Sequence, residues 1–242
     1  IFLKEILTRY QLAKKLREKR FKNGAVKFDR EELRFDIDEQ GKPTRCYFKK
    51  SLDANQLIEE FMLLANRSVA EMIGKAAEVG KKTWPYRIHD APDPEKMETL
   101  RSLVARFGYR MKSSGTQGQS ARALNKLMDD VNGRPEQKLV ETLALRAMMK
   151  AKYSVHNIGH YGLGFDYYTH FTSPIRRYPA TMVHRLLTRY QDGGRSASAS
   201  RYEALGEHSS SMEQTAAMAE RDSIKYKMVE FMGQYVGEEF DA

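Results

Sequence analysis

A short stretch of this sequence combines several groups that bind anions. Residues 170–178, called the basic segment below, read His-Phe-Thr-Ser-Pro-Ile-Arg-Arg-Tyr. Ser173 followed by Pro174 is typical of a helix start, because a serine hydroxyl caps free amides and proline is tolerated in the first turn. Arg176 and Arg177 are therefore predicted to lie in the first turn of a helix.

Two arginines in a first helical turn indicate a missing anion. Cations near the positive end of a helix dipole cost about 0.3 to 1 kcal/mol each. A phosphate would offset that cost, because its oxygens accept from exposed amides and from both guanidinium groups. The arginines could instead be solvated, or could pair with an acidic neighbour such as Asp166. The local sequence leaves these interpretations equally open.

The residues around the basic segment favour the phosphate. Aromatic rings beside arginines provide the faces on which single-stranded nucleic acids stack. Core packing could account for several of these rings, but it accounts less readily for the polar residues among them. We therefore predict a substrate-binding site that includes His170, Thr172, Ser173 and Tyr178. The neighbouring rings are those of Tyr161, Phe165, Tyr167, Tyr168 and Phe171.

The elements that must position this segment are mostly helices. Apolar periodicity and capping residues predict a mainly helical α+β fold with a small antiparallel sheet near the N-terminus. Asp93 with Pro94, and Ser210 with Glu213, are the clearest helix starts besides Ser173. The predicted helices are residues 2–20, 53–79, 94–107, 120–131, 135–153, 174–190 and 210–232. The predicted strands are residues 25–28, 33–37 and 44–48.

Composition excludes some classes of protein. No apolar run is long enough to cross a bilayer, so we expect no membrane partner. Cys46 is the only cysteine, which excludes an intramolecular disulfide and a cysteine-based zinc site and fits a reducing cytoplasm. The net charge of +9 favours an anionic partner such as nucleic acid, although a solvated lysine-rich surface has the same composition.

Several motifs resemble the RNB-type exoribonucleases, the family of ribonuclease R and ribonuclease II. The matching stretches are residues 145–148, 159–163, 168–179 and 183–185, and similarity extends over nearly the whole chain. The resemblance implies that residues 1–232 are the C-terminal portion of an incomplete RNB catalytic domain, and that 233–242 begin an OB-fold RNA-binding domain. The implied parent is a magnesium-dependent enzyme that hydrolyses single-stranded RNA processively from its 3′ end to nucleoside 5′-monophosphates.

The resemblance also assigns roles to individual residues. It implies that Arg176 stabilises charge on the scissile phosphate and that Arg177 pairs or assists. It implies that Phe28 stacks on bases at the 3′ end, although by itself Phe28 reads as a core strand residue. Glu220 falls in a motif that lies near the family's active site, and a solvated helix carboxylate is the alternative. Ala180 departs from the aspartate that is usual there, which would weaken an ion pair with a nearby arginine.

Two adjacent carboxylates in the 53–79 helix can be separated by helical geometry. Glu60 shares a face with Arg67 and Glu71, whereas Glu59 lies on a largely apolar stripe with Asn66. We therefore expect Glu60 to be the surface charge. Glu59 and Asn66 become candidates for contacting the terminal nucleotide, a role that the family gives to a glutamate here. A buried polar pair that fixes helix packing is the alternative.

The acidic half of the implied chemistry is missing from this sequence. The family's magnesium is held by clustered aspartates, which we expect upstream of Ile1, so no metal ligand is assigned within the chain. We predict a fragment that binds RNA but is inactive alone. A non-catalytic RNA-binding module is the alternative from another class, and a general binder of DNA or other polyanions is a third.

Overall fold

The computed structural model describes residues 2–27, 32–76, 82–112 and 117–239. The helices in these ranges are α1 (Leu3–Lys22), α2 (Asp53–Gly74), α3 (Pro94–Arg106), α4 (Gln117–Val131), α5 (Gln137–Ala147), α6 (Tyr178–Gln191) and α7 (Ala199–Met232). The strands are β1 (Glu32–Ile37), β2 (Pro43–Lys49), β3 (Tyr86–Ile88) and β4 (Lys152–Ser154). The predicted α+β class, mainly helical with a small antiparallel sheet near the N-terminus, is confirmed. None of the described helices has the length and apolar character of a membrane span.

The chain divides into two compact units. The first comprises Ile1–Phe28 and Asp53–Ser209, and the second comprises Asp29–Leu52 and Ser210–Ala242. In the second unit β1 and β2 form an antiparallel hairpin, and Phe35 of β1 lies 6.2 Å, centroid to centroid, from Phe231 of α7. Lys227 Nζ donates to the carbonyl oxygen of Gly41 at the hairpin turn (2.6 Å), which ties the hairpin to α7.

The first unit contains two hydrophobic clusters. One joins α3, α4 and α5 through residues such as Leu100, Leu124 and Val140, all of which are fully buried. The other joins α2, β3 and α6 around Trp84, the only tryptophan in the sequence. Trp84 has no solvent exposure, and its ring lies 6.4 Å from that of Tyr190. This second cluster supports the elements that carry the basic segment.

Local signals predicted some helix boundaries correctly. Asp93 caps α3 by accepting from the amides of Glu95 and Lys96, and Pro94 is the first helical residue, as predicted. Phe107, the last residue of the predicted helix, is the cap that follows Arg106 and is half exposed. A capping box at Ser210 is wrong, since α7 runs without interruption from Ala199.

Two further predictions fail where tertiary pairing decides the structure. The helix predicted for residues 135–153 ends at Ala147, because Lys152–Ser154 form strand β4 and pair antiparallel with β3. The predicted strand at residues 25–28 does not form over its described residues 25–27. Instead, the amide of Val26 donates to the carbonyl oxygen of Gly162 (3.0 Å). This contact ties the end of α1 to the glycine-rich stretch that precedes the basic segment.

Candidate nucleic-acid interface

The basic segment is a loop that leads into α6, not the first turn of a helix. Ser173 adopts a left-handed backbone conformation (φ 64°), residues 174–176 form a turn, and α6 begins at Tyr178. The predicted capping role of Ser173 is therefore wrong, and Arg176 and Arg177 precede the helix.

A buried asparagine from α2 fixes the backbone of the basic segment. Asn66 is only 2% exposed, and its Oδ1 accepts from the amides of Phe171 and Thr172, both at 2.9 Å. Its Nδ2 donates to the hydroxyl oxygen of Tyr168 (3.1 Å). Because three groups of residues 168–172 bind this one side chain, α2 holds the start of the basic segment in place.

Further anchors hold the N-terminal part of this loop. The fully buried Thr169 donates its hydroxyl to the carbonyl oxygen of Pro85 (2.6 Å). On the α6 side, the rings of Phe171 and His184 stack with centroids 4.4 Å apart, and His184 Nε2 lies 2.8 Å from the carbonyl oxygen of Phe171. The loop is therefore held in one path before any ligand arrives, which reduces the entropy that binding must cost.

The two arginines of the segment have no acidic partner within the described ranges. Neither Arg176 nor Arg177 makes an ion pair there, and Asp166, the neighbour considered above, pairs with neither. Arg176 is exposed and Arg177 is half-buried. Two guanidinium groups on an anchored loop form a site that can receive an anion with bidentate hydrogen bonds.

His170 is a neutral member of this cationic surface. Burial, and after it the nearby charges of Arg177 and Arg87, together lower the pKa of His170 from 6.5 to about 3. Its Nδ1 lies 2.6 Å from the hydroxyl oxygen of Tyr153, and its ring meets that of Tyr168 edge to face. His170 is therefore uncharged at neutral pH and does not add a third positive charge to those of the arginines.

The two glutamates on α2 have the opposite exposure to that predicted. Glu60, expected at the surface, is 3% exposed and pairs with Arg20 of α1, which is 6% exposed. Arg20 Nε lies 3.2 Å from Glu60 Oε1, and Arg20 Nη2 contacts the same oxygen. Glu59 is 47% exposed and lies 3.4 Å from Arg20 Nη2. The prediction was wrong because helix α1 packs against the face that carries Glu60.

The remaining predicted site residues differ in how they relate to the loop. Thr172 and Tyr178 belong to it; the Thr172 hydroxyl is buried without a hydrogen-bond partner among the described residues, and Tyr178 is half exposed. Glu220 is exposed on α7, within the second unit. Phe28 lies outside the described residues. The structure thus brings together the residues of the basic segment and Asn66.

Sequence reasoning missed the residues that support the segment from other elements. Tyr153 on β4 contacts His170, and Arg87 on β3 places its guanidinium carbon 4.6 Å from the centroid of the Tyr153 ring. The pairing of Arg87 with Tyr153 across β3 and β4 brings them together. The one signal for this pairing was the short alternating run at residues 86–88, which is too brief to predict a partner.

The described residues do not fit a magnesium site. Within them, no three His, Cys, Asp or Glu side chains are grouped so that they could hold a metal ion. Magnesium prefers near-octahedral oxygen ligands, usually with one or two carboxylates.

Comparison with known proteins agrees with the resemblance read from the motifs. Residues 3–193 match the RNB domain model. The chain is 40% identical over 230 residues to ribonuclease R of Aquifex aeolicus, covering 93% of this chain and 32% of that protein. It is 35% identical over 250 residues to ribonuclease R of Escherichia coli, covering 98% of this chain and 30% of that protein.

The fold agrees with a solved structure as well. Mycoplasma genitalium RNase R in complex with ribose-methylated single-stranded RNA superposes with a TM-score of 0.85 at 24% identity, over 96% of this chain and 37% of that one. The chain thus spans about a third of the length of these proteins. Because the RNB model covers most of its residues, the chain belongs to the RNB domain family.

Proposed function

We propose that this chain is part of a 3′-to-5′ exoribonuclease and that its basic segment holds a phosphate of single-stranded RNA. The observation that carries the proposal is the pair of arginines, Arg176 and Arg177, on a loop anchored by Asn66 and without an acidic partner in the described ranges. The relatives named above are ribonucleases, and the similar structure named above contains single-stranded RNA. A cytoplasmic location is part of the same proposal.

The two arginines have different surroundings and so different proposed tasks. Exposed Arg176 is free to reach a phosphate and stabilise the charge that develops on its oxygens during hydrolysis. Half-buried Arg177 lies closer to the buried rings, since its charge acts on both His170 and Tyr168. Arg177 would hold the phosphate in position while Arg176 stabilises the charge on its oxygens. Thr172, Ser173, His170 and Tyr178 shape the surrounding surface.

Other assignments from the resemblance remain proposals. Phe28 would stack on bases, and this stacking would support processive movement along the strand. Glu59, exposed near Arg20, and Glu220 would contact the RNA. Residues 233–242 would begin an OB-fold domain. Asn66 is proposed to act by positioning the basic segment, because its amide group is already fully engaged by protein groups.

The metal chemistry is proposed to depend on carboxylates supplied by the rest of the parent protein. Magnesium clamps and polarises the phosphoryl oxygens in many nucleases. Since the described residues do not fit such a site, the chain alone is expected to bind RNA without hydrolysing it. Incubation of this chain alone with single-stranded RNA and a magnesium salt should therefore produce no ladder of shortened RNA products.

The test replaces Arg176 with alanine in the full-length protein. Loss of a preorganised donor to developing charge lowers kcat by about 10² to 10³ in comparable sites. We expect that loss in release of 3′-terminal nucleotides, with RNA affinity reduced much less. Arg201→Ala removes an exposed arginine at the start of α7 and is the matched control. Near-normal turnover by Arg176→Ala would remove this residue from the mechanism.

A further inference from the structure

Helix α1 carries a row of lysines on the side that faces solvent. Lys4, Lys15, Lys19 and Lys22 are all exposed. At 3.6 residues per turn they fall within roughly 60° of one another around the helix axis. The opposite side of the helix carries Ala13 and Arg20, which are buried. We call these four residues the lysine face.

Within the described ranges the lysine face has no acidic partners. None of its four ammonium groups makes an ion pair there, and Glu18, at the edge of the face, also pairs with none of them. Three exposed lysines elsewhere do have acidic partners within four residues: Lys75 with Glu71 (3.2 Å), Lys96 with Asp93 (3.8 Å) and Lys126 with Asp130 (2.6 Å).

The end of α1 is tied to the stretch that precedes the basic segment. The amide of Val26 donates to Gly162, and Gly164 approaches Ala25 so closely that a Cβ on Gly164 would lie 2.9 Å from the Ala25 nitrogen. Arg20, near the same end of the helix, acts electrostatically on Tyr168. The end of α1 that carries Lys19 and Lys22 is therefore joined to the stretch that precedes the basic segment in the chain.

We propose that the lysine face binds RNA phosphates upstream of the nucleotides held by the basic segment. From Lys4 to Lys22 the face extends about 27 Å, at 1.5 Å per residue. At the 3.4 Å spacing of stacked nucleotides, that length corresponds to about eight nucleotides. Lysine suits this task because it contacts phosphates as a point charge without selecting a sequence.

The proposed role of the lysine face rests on the proposed RNA-degrading function, but the lysine face is separate from the cleavage site. The basic segment would hold the 3′ end, where geometry matters, and the lysine face would hold the following strand by charge alone. RNA too short to reach α1 should therefore not depend on the lysines. Longer RNA should depend on them, and more strongly at low salt.

The test is the salt dependence of RNA binding by the full-length protein. Replacing Lys15, Lys19 and Lys22 with glutamine should reduce the slope of log affinity against log salt by about 2 for single-stranded RNA of about 20 nucleotides, since each neutralised phosphate contributes about 0.7. Arginine at the same three positions should keep the slope. Binding and cleavage of RNA of about five nucleotides should remain at the wild-type level.

The matched control replaces Lys75, Lys96 and Lys126 with glutamine, an equal loss of exposed charge. An unchanged slope in the first variant, or an equal reduction in this control, would overturn the lysine face as an RNA surface. Cleavage of long and short RNA by the wild-type protein reports on the proposed function separately. If the wild-type protein cleaves RNA while the slope does not change, only the lysine-face inference fails.

Discussion

Arginines on the two sides of α2 have opposite environments. Arg20 of α1 is buried and its guanidinium is matched by the carboxylate of Glu60. Arg176 and Arg177 lie on a loop held by Asn66 of the same helix, and they have no such match in the described part of the chain. One helix thus supplies a carboxylate where a charge is structural and an amide where a loop must be held.

This difference separates charges that stabilise the fold from charges that are available to a ligand. A buried ion pair is costly to break because the remaining charge stays desolvated. The protein loses little stability when an exposed arginine is replaced, so the effect of the replacement should be seen in binding and catalysis. The comparison therefore predicts that stability and activity respond to different residues on either side of α2.

The largest loss of stability is expected from Glu60→Gln. Removing this carboxylate leaves the guanidinium of Arg20 buried without its main partner, which costs about 3 to 5 kcal/mol in comparable buried pairs. Urea unfolding followed by circular dichroism would measure the change. The control is Glu59→Gln, which alters a half-exposed carboxylate and should cost about 0 to 1 kcal/mol. Equal effects for both variants would contradict the structural role of Glu60.

A smaller loss is expected from Asn66→Ala. Two loop amides and the Tyr168 hydroxyl lose their partner; the cost is about 1 to 3 kcal/mol in all, because the two amides are only part-buried and can be rehydrated. Because the arginine-bearing loop is released, kcat for RNA cleavage should fall more than KM rises.

Asn66→Asp is the informative companion variant. It retains an oxygen that can accept from the amides of Phe171 and Thr172, so it should recover much of the stability that the alanine variant loses. If the aspartate and alanine variants lose the same free energy of unfolding, the two amide contacts do not hold the segment.

The last prediction concerns pH. The pKa of His170 is lowered from 6.5 to about 3 by burial and then by Arg177 and Arg87, so the folded state binds its proton more weakly than the unfolded state. Its contribution to stability is present above pH 6.5 and is lost as the pH falls toward 3. His170→Gln should flatten this part of the curve of unfolding free energy against pH. His156→Asn, at an exposed histidine, is the control and should leave the curve unchanged. A His170→Gln curve parallel to the wild-type curve would refute the assignment of this pH dependence to His170.

The sequence predicted features that depend on near neighbours. The start of α3 at Pro94 follows from Asp93 alone, and the apolar spacing of α1 needs no partner to be recognised. The basic segment and its arginines were likewise visible in the sequence. These signals work because the groups that interact lie within one or two turns of each other.

Features that depend on distant residues could not be read in the same way. Ser173 and Pro174 carry the same local signature as Asp93 and Pro94, but no helix begins at Ser173. The preceding amides of Phe171 and Thr172 donate instead to Asn66, more than a hundred residues away. Glu60 is buried because Arg20 lies against it, 40 positions earlier in the chain. A helical wheel shows which residues share a face, but it does not show which face another helix covers.

Trp84 gives the first unit a built-in optical reporter. It is the sole indole, it is completely enclosed, and its ring nitrogen has no hydrogen-bond partner among the described residues. Its cluster includes Ala70 of α2 and Val183 of α6, the two helices from which Asn66 and His184 reach the basic segment. A red shift of intrinsic fluorescence should therefore report loosening of that scaffold. Coincidence of this shift with the circular dichroism transition would indicate that scaffold and helices unfold together.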